Sequence, residues 1–287
     1  MFAMAGDVYA ARLSALYGTA VNLILNDSNR LFANRTAQPL VVAAGLGQWA
    51  QLRTQVPAPA LVAGYSVGEL TACGVAGALP AAVLPELADS RAALMDQCVD
   101  PLQPQAMFAI SGLSQACNAA LLHRRGLFPA IFNGGGRLVC AGLLHQCEGL
   151  EDEVAALGGQ AQRLPLTVAS HTPLLASASA GFTLRLDALP WSVFIVPMLS
   201  GNSAEKITTP TQARRTLARQ LCEPVLWERC MDLLAESSIQ VTLELGPGNA
   251  LSRMLRARHP QIQSRAIEDF RSIGAAAGWL RQQLSAS

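Results

Sequence analysis

A serine hydroxyl is a weak nucleophile unless the chain exposes it, keeps neighbours away from it and sets a base beside it. Gly64-Tyr65-Ser66-Val67-Gly68 meets the first two conditions. It lies between an apolar run, Ala60 to Ala63, read as a short buried strand, and a helical run from Glu69 to Ala76. Such an elbow puts Ser66 at a helix N-terminus, where glycines permit a cramped backbone and main-chain amides can hold an oxyanion. The amide of Val67, one residue on, is the natural donor. The chemistry served would be acyl transfer through a serine ester. A bare Gly-x-Ser-x-Gly is often only a turn, so the assignment depends on a base from elsewhere in the chain.

Four histidines compete for that role: His123, His145, His171 and His259. One order of triad residues, serine then acid then histidine, would be met by Ser66, Asp232 and His259. The rival is Ser66 with His171. His171 lies in Val168-Ala-Ser-His-Thr-Pro173, a junction before a helix where an imidazole could face a cleft. His259 sits in the cationic stretch Arg256-Ala-Arg-His-Pro260 and reads as a solvated helix end. His123, beside Arg124 and Arg125, reads as a surface residue, and His145 ends a strand without an evident partner.

The elements that must position these groups follow from period and punctuation. Helices are expected at Asp7–Tyr17, Pro39–Leu52 and Leu84–Gln97. From Met107 the rhythm changes: strand 107–113, helix 115–124, strand 128–132, the turn Asn133-Gly-Gly-Gly136, strand 137–144, helix 147–157, strand 162–167. Strand, helix, strand, strand, helix, strand is the ferredoxin-like βαββαβ pattern. It predicts a small subdomain over 102–167 inserted in a larger unit formed by 1–101 and 168–287. Helices near 172–180, 211–221 and 275–284, and strands near 194–199 and 241–245, complete the larger unit.

Composition narrows the function classes. With 51% hydrophobic and 14% charged residues in 287, the chain reads as a globular protein with a substantial core. A formal net charge of +1 gives no electrostatic case for nucleic acid or an anionic membrane. No apolar run reaches a membrane span and no signal peptide is read, so no membrane association is expected. Seven cysteines, without Cys-x-x-Cys spacing, read as thiols in a reducing compartment, hence the cytoplasm. No metal-ligand cluster and no dinucleotide fingerprint are seen, so neither a metal nor a permanently bound cofactor is expected.

Taken in order, six motifs resemble those of the malonyl-CoA:acyl-carrier-protein transacylases and the acyltransferase domains of polyketide synthases. Gly64-Tyr-Ser-Val-Gly-Glu69 is similar to the family's G-H-S-x-G-E elbow, and Arg91-Ala-Ala-Leu-Met95 to its R-x-x-x-M helix. Asn133 to Gly142 resembles N-x-x-x-Q-x-V-x-x-G, and Val168 to Leu175 the segment that carries the family histidine. Gln220 to Trp227 resembles Q-L-x-x-P-V-x-W, and Glu244 to Gly248 resembles E-x-G-P-G. The resemblance spans about 30 to 255. It implies an α/β fold, a hydrolase-like parallel-sheet core with the ferredoxin-like subdomain inserted, and a site between them.

It also implies roles. Ser66 matches the nucleophile, His171 the general base and Gln220 the residue whose main-chain carbonyl orients the imidazole in place of a triad carboxylate. Arg91 matches the arginine that grips the free carboxylate of a malonyl group, which a planar guanidinium does through two parallel hydrogen bonds. Tyr65, Asn133 and Ser170 fall at substrate-binding positions. Coenzyme A enters as a thioester substrate, malonyl-CoA, and the acceptor is an acyl carrier protein with a phosphopantetheine-type arm; a monomer is expected.

The sequence departs from the pattern in places. The family's opening F-P-G-Q-G-S-Q loop, source of a second oxyanion donor, is not found, which bears on activity. Tyr65 stands for the usual histidine, Arg137 for the hairpin glutamine, and Ser170 where malonyl-selective enzymes often carry phenylalanine, leaving room for a substituted malonyl group. The Gly-Tyr-Ser-Val-Gly-Glu-Leu elbow and Leu199-Ser-Gly-Asn-Ser203 resemble most the epsilon subunit of bacterial malonate decarboxylase, a transacylase of this family. A stand-alone polyketide-type acyltransferase, a serine esterase or thioesterase, and an inactive carrier-docking protein are the alternatives.

Overall fold

A computed structural model of the chain describes residues 7–286. Its spine is helix α4, Asn34–Leu52, which follows three short helices, α1 (Asp7–Tyr17), α2 (Val21–Leu25) and α3 (Ser28–Leu31). α4 begins five residues before the expected start and carries Pro39 inside it. It packs against α5 (Gly68–Val75) and α6 (Leu84–Asp96), and the approach to α5 is close. A Cβ on Gly45 would stand 2.8 Å from Thr71 Cγ2, which explains a glycine in a helix interior where alanine is otherwise favoured.

The nucleophile elbow hangs between β1, only Val62–Ala63, and α5. β1 pairs parallel with β6 (Met198–Leu199), and β6 pairs antiparallel with β7 (Lys206–Ile207). Both β1 and β6 are shorter than expected; the chain before β6 bends at Ile195 and Val196 and is tied instead to the end of α5, by Ser192 N–H to Ala78 O and Ile195 N–H to Ala76 O, both at 2.9 Å. Val42, Leu46, Leu70, Cys73, Leu84, Phe182, Met198 and Leu217 share one buried core, to which α9 (Ala176–Asp187) and α10 (Pro210–Arg219) contribute.

The expected βαββαβ succession is present as β2 (Gln105–Ser111), α7 (Gln115–Arg125), β3 (Phe128–Gly134), β4 (Arg137–Leu143), α8 (Leu150–Ala156) and β5 (Gln160–Arg163). The sheet order is β3-β4-β2-β5, antiparallel throughout. Strand alternation gives it two apolar faces. Phe108, Ile110, Leu138 and Cys140 pack with Leu121, Leu122, Leu150 and Val154 of the two helices. Met107, Val139 and Ala141 turn the other way, toward Trp227, Cys230 and Met231 of α11 (Trp227–Glu236). β3 also bonds to the main chain of Val225: Phe132 N–H donates to Val225 O at 2.8 Å and Val225 N–H to Ala130 O at 2.9 Å.

A third, two-stranded parallel sheet joins β8 (Val241–Glu244) to β9 (Gln263–Ala266), with α12 (Ala250–Arg258) between them and α13 (Ile273–Ala286) after. Glu244 accepts from the amides of Leu251 and Ser252 at 3.2 and 2.7 Å, so the acid of the Glu-x-Gly-Pro-Gly stretch caps α12. Gln48 of α4 accepts from Gly246 N–H at 2.6 Å and ties that loop to the spine. No helix among the described residues is long and apolar enough to cross a membrane.

Candidate active site

Ser66 has a φ of +53°, in the left-handed region that only glycine enters freely. The elbow holds it there by crowding. A Cβ on Gly64 would lie 2.2 Å from Glu69 N and 2.3 Å from Gly68 C, so the chain can fold back only over a glycine. Gly68 differs: nothing stands within 4 Å of its Cβ position, and its place in the motif has no steric explanation. The amides of Gly68, Glu69 and Leu70 turn back on to the carbonyls of Tyr65, Ser66 and Val67. Among the described residues no main-chain acceptor engages the Val67 N–H, next to Ser66.

His171 arrives from 105 residues away and sets its Nε2 2.7 Å from Ser66 Oγ. It too is left-handed, at φ +64°. Its main-chain N–H donates to Leu221 O at 2.9 Å and its Nδ1–H to Gln220 O at 2.6 Å. The second bond fixes the tautomer: with the proton on Nδ1, Nε2 is free to accept from the serine. A backbone carbonyl thus occupies the place of a triad acid. The loop is pinned from below as well, by Ala169 N–H donating to Gln105 Oε1 and Thr172 Oγ1–H to Ala169 O, both at 2.7 Å.

Arg91, on α6, is 2% exposed and completes the group. Its Nη2 donates to Gln220 Oε1 at 3.2 Å and reaches Ser66 Oγ at 3.5 Å, and its Nη1 donates to Gln38 Oε1 at 2.6 Å. Gln38 in turn donates to Asn34 Oδ1 at 2.6 Å. Burial lowers the Arg91 guanidinium to about 10, and the nearby Glu69 carboxylate opposes that. Burial, then the Arg91 charge, brings His171 down to about 3 against the support of the Gln220 carbonyl, so the imidazole is neutral at neutral pH.

The alternative grouping of Ser66, Asp232 and His259 is not assembled. His259 Nε2 bonds Asp232 Oδ1 at 2.9 Å, and Arg258 grips the same carboxylate at 2.6 and 2.9 Å. Arg258 and then His259 hold Asp232 below the usual carboxylate range. These side chains knit α11 to α12 instead. His123 and His145 are exposed.

Tyr65 and Asn133 meet each other. Tyr65 O–H donates to Asn133 Oδ1 at 3.2 Å, and the ring stands edge-on to Trp227 with centroids 5.3 Å apart. Burial pushes the phenol up to about 12, so it remains a donor. The bond spans from the elbow to β3. Ser170, next to His171, lines a cavity of about 420 Å³ together with Phe32, Asn34, Leu166 and Val168. Gln38 and Glu69 belong to the site without being marked as site residues by the sequence. Gln38 sits 53 residues from Arg91, and no local pattern marks it. Glu69 is in the elbow motif itself, but its partner Gly201 is 132 residues away.

Comparison with known proteins identifies the family. The acyl transferase domain model matches residues 2–277. The malonyl CoA-acyl carrier protein transacylase of Mycobacterium tuberculosis is 30% identical over 235 residues, 81% of this chain and 77% of that protein. That of Salmonella typhimurium is 28% identical over 83% of this chain and 79% of its own length. The crystal structure of FabD from Acinetobacter baumannii superposes with a TM-score of 0.87 at 27% identity, covering 97% of this chain and 90% of the other. With the family model spanning almost the whole sequence and the elbow, histidine and arginine brought to one point, the chain belongs to the acyl transferase domain family.

Proposed function

We propose that this chain is a malonyl-CoA:acyl-carrier-protein S-malonyltransferase working through a Ser66 acyl-enzyme. One observation carries the reading: the Ser66 hydroxyl is 2.7 Å from His171 Nε2 and 3.5 Å from the Arg91 guanidinium. The first contact activates an oxygen, and the second offers a carboxylate receptor beside it. The names of the relatives, which are malonyl transacylases using an acyl carrier protein, support the same substrates.

In the first half-reaction Ser66 Oγ attacks the thioester carbonyl carbon while its proton passes to His171 Nε2. The Val67 N–H stabilises the oxyanion. The intermediate collapses by breaking the carbon–sulfur bond, and His171 returns its proton to the departing thiolate of coenzyme A. In the second half the carrier's phosphopantetheine-type thiol gives its proton to His171, attacks the serine ester, and the Ser66 oxygen recovers the proton. Coenzyme A is substrate, not a resident cofactor. In this reading the described residues up to 101 and from 168 on form the larger part, which carries Ser66, Arg91, His171 and Gln220, and 102–167 form the smaller part, which reaches the elbow through Asn133.

The malonyl carboxylate has a second effect in this scheme. A free Arg91 charge opposes formation of the imidazolium. A carboxylate paired with Arg91 cancels that field, so a malonyl group both binds better and makes His171 a stronger base.

Among such enzymes we assign the chain to malonate decarboxylase, as the cytoplasmic subunit that loads its carrier. The Tyr65-containing elbow and Leu199-Ser-Gly-Asn-Ser203 support this. Mass spectrometry after mixing with malonyl-CoA tests the activity: a gain of one malonyl unit on Ser66 is expected, lost quickly on adding carrier protein. No adduct would sink the proposal. Comparing transfer to a malonate decarboxylase carrier and to a fatty-acid-synthesis carrier tests the narrower assignment, which fails if the second is loaded faster.

A further inference from the structure

Glu69 is the only buried acidic side chain among the described residues, at 0% exposure. A carboxylate in that position is costly and calls for a reason. One oxygen, Oε1, accepts from Gly201 N–H at 2.5 Å. The other, Oε2, has no hydrogen-bond partner, and neither has Gln220 Nε2. Yet the two side chains converge: a Cβ on Gly201 would stand 2.7 Å from Glu69 Oε1 and 3.7 Å from Gln220 Nε2. The Gln220 amide acts on Glu69, drawing its carboxyl down alongside the Gly201 amide and the Arg91 charge. Gln220 is also the residue that holds the base and the guanidinium, through its main-chain oxygen on His171 Nδ1 and its Oε1 on Arg91 Nη2.

We propose that Glu69 is a positioning residue for this site, a two-acceptor clamp that fixes the Gly201 loop with one oxygen and the Gln220 amide with the other, and through Gln220 keeps His171 and Arg91 in register. The donor pattern requires a carboxylate there. In the clamp Gly201 N–H and Gln220 Nε2 would both donate to Glu69, while Gln220 Oε1 must remain turned to Arg91. A glutamine at 69 supplies one acceptor and one donor. Whichever way it turns, and whichever way Gln220 turns, one donor faces another. Burial, the largest influence, raises the Glu69 carboxyl to about 7, so the clamp loosens as protons return below neutrality. The charged or titratable groups that face it are Arg91 from α6, Cys73 from α5 and Cys230 from α11.

The inference rests on the transacylase reading, and the test separates the two. Acylation of Ser66 by malonyl-CoA is followed by rapid-quench mass spectrometry in the wild type, in Glu69→Gln and in the exchanged pair Glu69→Gln/Gln220→Glu. The pair restores a donor opposite every acceptor and keeps the net charge; the Gln220 main-chain oxygen is untouched. Glu69→Gln is expected to lower the saturating acylation rate about 10- to 100-fold, the cost of a small misplacement of reacting groups, with the half-saturating concentration changed less than about threefold. The exchanged pair is expected to regain most of the rate. A wild type without adduct overturns the transacylase reading. A wild type with adduct and an unimpaired Glu69→Gln, or a folded exchanged pair no faster than Glu69→Gln, overturns the role of Glu69 alone. The wild type gives an arm independent of variant folding: the downfield proton resonance of His171 Nδ1–H, followed from pH 6 to 8.5, is expected to move with an apparent pKa near that of Glu69. A resonance fixed across that range overturns the proposal even where neither variant folds.

Discussion

The Arg91 guanidinium lies 3.5 Å from the Ser66 hydroxyl and lowers the pKa of the His171 imidazole, so a single buried charge acts on both, and in the proposed transfer it would meet the incoming acyl group as well.

Arg91→Ala should lower the rate of Ser66 acylation from malonyl-CoA about 10²-fold, the scale of a lost charge-assisted bidentate contact, and leave acetyl-CoA within a few fold. Single-turnover rates with the two thioesters measure this. Equal losses for both substrates would refute a carboxylate-binding role.

The same variant has a pH signature. The active form of His171 is neutral, and burial and Arg91 both lower its pKa from 6.5, to about 3. Wild-type acylation should therefore show no His171 limb near pH 6.5, and a fall that begins just below neutrality would report Glu69 instead. Removing the Arg91 charge takes away one lowering cause and leaves desolvation, so the limb should move up toward 6.5 without reaching it. Acylation rates with acetyl-CoA between pH 4 and 8 decide the sign.

His171→Ala should cost about 10²–10⁴ in acylation, the usual contribution of a general base. His259→Ala should leave the rate within about twofold and cost about 1 kcal/mol of stability through the lost bond to Asp232. Parallel kinetics and urea unfolding separate the two histidines, and the reverse result would favour the Asp232–His259 alternative.

The two glycines of the elbow should behave oppositely. Gly64→Ala puts a methyl 2.2 Å from a backbone nitrogen and should cost more than about 3 kcal/mol. Gly68→Ala meets nothing within 4 Å at the start of a helix and should be neutral, or stabilising by up to about 1 kcal/mol. Thermal or urea denaturation tests both.

Ser170→Phe should fill part of the cavity of about 420 Å³ beside the base. The ratio of methylmalonyl-CoA to malonyl-CoA acylation rates should fall about tenfold, the scale of one crowded methyl. An unchanged ratio would place the α-substituent elsewhere.

Much of this was legible in the sequence where structure is local. The βαββαβ succession showed because its strands alternate and its turns carry glycines, as at Asn133 to Gly136. Ser66 and His171 were legible through flanking chain that bends sharply. α11 is not marked although Trp227, Cys230, Met231 and Leu234 hold helical spacing, because the motif ending at Trp227 masks the start of a helix; of α12 only the end, at His259, is legible. β9, Gln-Ser-Arg-Ala, has no strand signal, and it is a strand because β8 lies beside it. The supports of the site were hidden for a further reason. Gln38 and Glu69 act on groups 53 and 132 residues away, and a polar side chain's partner across such a span leaves no trace in spacing.

Ser66 and His171 both sit at positive φ, each at a cost of about 1–3 kcal/mol against a relaxed main chain. Glycine or asparagine at either place would ease the backbone and discard the reacting atom. Selection of this protein for heat resistance alone would thus be drawn toward inert sequences, and sturdier descendants from such a screen should be checked first for what they no longer do.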